Sequence, residues 1–248
     1  NMATKILRAM VDGQSAGEAL ELFIKSLRQL LQQDSIDNAM KALMLVLPGD
    51  GYIAELYDQA DPVLIYNARQ SMRKAIAVAL REDLLLFYRQ LAADVAGVSV
   101  AARSARSLRN MALSYLMLLD DAEVIGLCVR QFETSSTMTD QLAALKALVN
   151  CSVSSNEASV ALMQFYRQWK DESLVVNMWL QVQASADSNG ALDSVNVLLQ
   201  HEAFDYRNPN KVRSLIGAFC NQNLLGFHDV SGKGYRFLAE QVMVIDKI

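Results

Sequence analysis

Cysteine, proline and histidine are all scarce in this chain of 248 residues, numbering three, three and two. The cysteines (Cys128, Cys151 and Cys220) are odd in number, far apart and form no C-x-x-C pair. That pattern excludes a disulfide scaffold and a clustered zinc site, and it points to buried thiols in a reducing, cytoplasmic setting. The histidines, His201 and His228, belong to no H-E-x-x-H sequence, so no metal site is expected within the chain. Gln200-His201-Glu202 reads as a helix end, where the dipole favours a histidine. Basic excess is missing too: 23 lysines and arginines against 27 acidic residues give a net charge of −4, which excludes a general nucleic-acid binder. The longest apolar runs, such as Ala42–Leu47 and Ala75–Leu80, are far too short to cross a membrane. No G-x-S-x-G elbow exists, and Gly232-Lys233-Gly234 lacks P-loop spacing, so it reads as a loop entering the final helix.

What is abundant is apolar residue, 52% of the chain, recurring at three- and four-residue steps. Behind Ser15-Ala16-Gly17-Glu18, which has the form of a capping box, Leu20, Ile24, Leu27, Leu30 and Leu31 make one amphipathic stripe. A helix over 36–47 ends at the Pro48-Gly49-Asp50-Gly51 turn, and Asp61-Pro62 opens the next, proline being well suited to a first helical position. The same spacing predicts helices over 62–79, 83–93, 102–119, 122–132, 140–150, 157–169, 174–184, 192–202, 211–221 and 234–246. No sustained alternation of period two occurs, so strands should be scarce. From Asp140 onward, segments beginning about 36 residues apart pair with amphipathic partners, as stacked hairpins do. The expected fold is all-α: a superhelix of stacked antiparallel helical hairpins, like a HEAT or armadillo solenoid, over residues 1–248.

Arg103, Arg106 and Arg109 share one helical face, either as an anion-binding stripe or, with Asp120, Asp121 and Glu123 nearby, as a solvated face. Met111, Met117, Met163 and Met178 are expected to fill the core rather than line a partner groove. The chain begins Asn1-Met2, and its last segment keeps helical spacing through Tyr235, Leu238, Val242 and Ile245 without a terminating glycine or proline. Both ends therefore read as cut from something larger.

The segment from Phe204 to Glu240 contains NPNKVRSLIGAF followed by an F-H…G-x-G-Y sequence. It resembles the C-terminal helical domain of the bacterial aminopeptidase N family, alanyl aminopeptidases of the zinc gluzincin superfamily. Weaker matches at 52–77, 106–116 and 138–150 extend the resemblance over most of the chain. The resemblance implies a non-catalytic domain that closes over a zinc-bearing catalytic domain of the same polypeptide and walls off the chamber that peptides enter. It implies no cofactor in this chain, zinc in the parent enzyme, and peptides as substrates of the assembled protein. It also implies that the motif's arginine, Arg213, faces the cavity on the leaving-peptide side, with Asn208, Asn210 and Lys211 beside it. In this family the domain continues beyond the position of Ile248 into further helices. A free-standing helical scaffold binding a protein partner on its concave face is the other reading that the residues allow.

Overall fold

The computed structural model describes residues 2–93, 97–187 and 190–248. All regular structure among these residues is helical, and it falls into two compact units, Asn1–Ala147 and Leu148–Ile248. The first unit contains α1 (Met2–Val11), α2 (Gly17–Leu31), α3 (Asn38–Met44), α4 (Asp50–Ala54), α5 (Pro62–Ala79), α6 (Arg81–Gln90), α7 (Val100–Leu116) and α8 (Ala122–Thr134). Helix α9 (Met138–Val149) follows. The second unit contains α10 (Ser155–Trp169), α11 (Ser173–Ala184), α12 (Ala191–Leu198), α13 (Pro209–Val212), α14 (Ala218–Gln222), α15 (Leu224–Phe227) and α16 (Lys233–Ile245).

Helix α5 shows why these residues form these elements. Asp61 accepts hydrogen bonds from the amides of Val63 and Leu64 at 2.9 and 3.1 Å, and Pro62 needs no amide partner at the first position. The stripe Ile65, Ala68, Met72 and Ile76 is then buried, at three- and four-residue steps. Helix α2 departs from its predicted start. The chain turns helical only at Gly17, with Ala16 as the cap, so no capping box forms and Ser15 stays outside. Asp50-Gly51 opens α4 instead of serving only as a turn, and α12 stops at Leu198, short of His201.

Packing in the first unit follows the hairpin pattern. Helices α6 and α7 run antiparallel: Arg81 at the start of α6 donates to Asp121, just past the end of α7, at 2.5 Å. Helices α3 and α7 lie side by side and parallel. Ala39 N donates to Ser104 Oγ near their starts, and Tyr115 OH donates to Leu45 O near their ends, at 2.8 and 2.6 Å. The arginine face of α7 is neither a stripe nor solvated. Arg106 is buried with Nη1 on Gly97 O at 2.7 Å, and Arg109 lies 4.5 Å over the Tyr88 ring; only Arg103 is exposed. The methionines differ as well: Met117 is core, but Met163 is exposed and Met111 lines a surface groove.

Burial pushes the Tyr88 hydroxyl up from 10.0 to about 12, with the Arg109 charge pulling the other way. The unfolded chain would ionise this tyrosine near pH 10 while the folded one keeps its proton. Stability from this group is therefore full below pH 10 and is lost as pH rises to about 12. Urea midpoints at pH 8 and pH 11 should show that fall, and Tyr88→Phe should reduce it.

In the second unit, α11 and the α13–α14 segment are parallel neighbours. Gln181 Nε2 donates to Gln222 Oε1 at 3.1 Å where both helices end. Asn223 fastens the same end. Its Nδ2 donates to Ala184 O and Ala186 O at 3.1 and 2.8 Å, while its Oδ1 accepts from Gly226 N at 2.9 Å and so caps α15. Asn223 is buried, so Asn223→Ala should orphan three backbone groups and cost about 2–3 kcal/mol in chemical denaturation.

Candidate functional site

The NPNKVRS motif opens the helical segment 209–222 in the second unit. Asn208 has extended backbone, and its Oδ1 accepts from Asn210 N at 3.0 Å and Lys211 N at 3.4 Å, with Pro209 at the first position. Such a cap contributes about 1 kcal/mol to the helix start. The segment is not uniformly α-helical: residues Arg213–Gly217 form a π-helical turn between α13 and α14. Wide turns of this kind cost hydrogen-bond geometry and occur often at functional sites. Leu215 and Ile216 anchor the turn in the core, and Asn221 Nδ2 donates to Gly217 O at 2.8 Å.

Arg213 is the first residue of that turn and is exposed. Its only hydrogen bond among the described residues is Nη1 to Asn210 Oδ1 at 3.5 Å, at the limit of such an interaction, and no ion pair holds it. Pro209 is the first helical residue, so Arg213 lies beyond the first turn, where the helix dipole has little hold on a cation. Apart from that one long contact, the guanidinium presents its fork of donors outward from a fixed base.

The four motif side chains divide into two pairs. Asn208 is spent on the cap. The Lys211 ammonium donates to Ala203 O, tying the helix start to the preceding loop, and lines a polar cleft of about 350 Å³ with Tyr166 and Glu202. Tyr166 donates to Glu202 at 2.9 Å, and burial together with that contact pushes its hydroxyl up to about 12. Asn210 and Arg213 are both exposed.

The two histidines are already engaged. His201 Nδ1 accepts from Ala203 N at 3.0 Å, with its ring edge-on to Tyr166, and His228 Nδ1 meets Tyr235 OH at 2.7 Å. Among the described residues no group of three or more His, Cys, Asp or Glu side chains could hold a metal ion, so the donor set does not fit zinc. Burial pushes the Cys220 thiol up to about 11, which keeps it a poor nucleophile near neutral pH. No helix among the described residues is long and apolar enough to cross a membrane.

The family described as "Domain of unknown function (DUF3458_C) ARM repeats" matches residues 1–248. The chain belongs to this family. It is also 32% identical over 244 residues to aminopeptidase N of Haemophilus influenzae and 36% identical over 216 residues to that of Escherichia coli. Those alignments cover 97% and 87% of this chain but 28% and 24% of the relatives, so the chain spans about a quarter of their length. A crystal structure of Legionella pneumophila aminopeptidase A in complex with aspartic acid superposes with a TM-score of 0.85 at 27% identity, covering 99% of this chain and 29% of that one. The resemblance to the helical domain of bacterial aminopeptidase N thus holds over nearly the whole chain, and the all-α, ARM-repeat fold agrees with it.

Proposed function

We propose that this chain is the non-catalytic helical domain of a zinc-dependent aminopeptidase that releases N-terminal residues from peptides. In this reading the zinc and the catalytic groups lie in the remainder of the same cytoplasmic polypeptide, and this domain caps the catalytic chamber and shapes peptide access. The observation that carries the proposal is the pairing of a partial match to aminopeptidase N with a motif arginine that is exposed and held only by one long hydrogen bond to Asn210. Arg213 binds the backbone carbonyls or terminal carboxylate of residues beyond the scissile bond, using its planar donors. Asn210 is its neighbour in that contact, while Asn208 and Lys211 hold the turn that presents both.

The test is Arg213→Ala in the complete enzyme. A charged hydrogen bond contributes roughly 1.5–3 kcal/mol, so kcat/KM for short peptides should fall about ten- to a hundredfold. A single-residue chromogenic substrate has no peptide beyond the scissile bond and should lose much less. Equal losses on both substrates, or no loss on either, would reduce Arg213 to an exposed surface residue of this segment.

A further inference from the structure

The α3 and α7 helices of the first unit leave between them a surface groove of about 530 Å³ that the candidate site does not use. Its apolar lining comes mainly from Ala42, Leu43, Val46 and Met111. Leu43 and Val46 are 64% and 54% exposed, and Met40 on the same helix is 47% exposed. Met40 and Leu43 on α3 and Val46 just past its end, three large apolar side chains at three-residue steps, form a patch of the kind that marks an interaction surface.

The polar groups in the groove sharpen the chemistry. Ser107 Oγ donates to Arg103 O at 3.0 Å, and Ser114 Oγ donates to Met111 O at 2.8 Å. The Asn110 amide is engaged on both sides, donating to Asp140 Oδ1 at 2.7 Å and accepting from Gln131 Nε2 at 2.8 Å. Each polar side chain facing the groove thus makes its hydrogen bonds within the chain, and no ionisable side chain lines it among the described residues. A charged peptide, a nucleic acid or a small anion would find nothing to pair with there. Apolar protein surface would fit, at no cost in buried unpaired groups.

We propose that this groove is the seat of an uncharged apolar side chain from the remainder of the same polypeptide. The inference rests on reading the chain as one domain of a longer aminopeptidase. The amount of polypeptide outside the chain is what selects the occupant. The chain covers 24–28% of its curated relatives, so in that reading most of the polypeptide is covalently tethered close by. Tethering raises the effective concentration of an intramolecular partner far above that of a second copy.

The experiment places a photo-crosslinking p-benzoylphenylalanine at position 43, and separately at 46, in the complete polypeptide. The expected product migrates at the monomer mass and joins the probe to a peptide outside these 248 residues. A product at twice the monomer mass, joining two copies, would overturn the proposal, as would no crosslink from either position. Leu43→Asp supplies a second reading: it should lower the thermal midpoint of the complete protein while leaving helical content intact, and an unchanged midpoint would also overturn the proposal. Peptidase activity separates the two levels of argument. An active enzyme without the crosslink would sink the groove alone, and a crosslinked protein without peptidase activity would sink the functional reading alone.

Discussion

Gly234→Ala is expected to be among the most damaging single-methyl additions in the second unit, costing on the order of 3 kcal/mol or more of unfolding free energy. Gly234 lies in the first turn of α16, against the end of α15. A Cβ built there would stand 2.7 Å from Phe227 Cα and 2.8 Å from Phe227 C, and closer still to its carbonyl oxygen. All three obstacles are backbone atoms, so no rotamer change can relieve them. The helices would have to part, and the ring contacts of Phe227 and Phe237 with Phe219 would loosen with them. Gly232 supplies the control. Its φ of 69° is left-handed, but a Cβ there meets only the flexible tip of Arg236 at 3.4 Å, so Gly232→Ala should cost about 1–2 kcal/mol of backbone strain. Urea titrations of the two variants should keep that order, and equal midpoints would mean that α15 and α16 are not packed this closely.

Phe219→Ala should be of similar size for the opposite reason, because it removes volume. Phe219 is fully buried and stands edge-on to Phe237 at 5.4 Å and to Phe227 at 6.2 Å. Gly226 packs so tightly on it that a Cβ there would lie 3.0 Å from the ring. Deleting a buried phenylalanine side chain costs about 3–5 kcal/mol in transfer and cavity terms. A loss below about 1 kcal/mol would show that the site collapses freely. Phe219 lies in the same segment as Arg213, so its loss should also slacken the turn that presents the guanidinium.

The two variants test features of different legibility. The apolar spacing that includes Phe219 is visible in the sequence, and helix α5 could be bounded at both ends because a capping aspartate, a proline and the stripe all agree. The need for Gly234 could not be read, since it arises from the approach of α15, a single turn with no periodic signal of its own. Helix α1 is not legible for a similar reason: it follows no cap motif. The surroundings of Arg106 and Arg109 are not legible, because periodicity reports which residues share a face, not what closes over it. Here Gly97 and Tyr88 do so. Met111 and Met163 depart from the expected core placement because composition does not distinguish a groove or an exposed face from an interior.

At the candidate site the motif identified four residues, and the fold divides them. The cap formed by Asn208 follows from its place before proline. The tie from Lys211 to Ala203 O depends on a loop path that no local rule predicts. The π-helical turn has no sequence rule either, since residues 209–222 carry ordinary helical spacing. Within that turn Arg213 is exposed while Leu215 and Ile216 are buried.

The central claim, that this chain serves as one part of a larger peptidase, is tested most directly by the native gene product. Extract from source cells would be separated by size, probed with an antibody to this chain, and assayed for aminopeptidase activity across the same fractions. The account predicts a band several times larger than 27.5 kDa that coincides with an activity abolished by a zinc chelator. A native band at 27.5 kDa, running apart from all such activity, would contradict it and favour a free-standing helical scaffold.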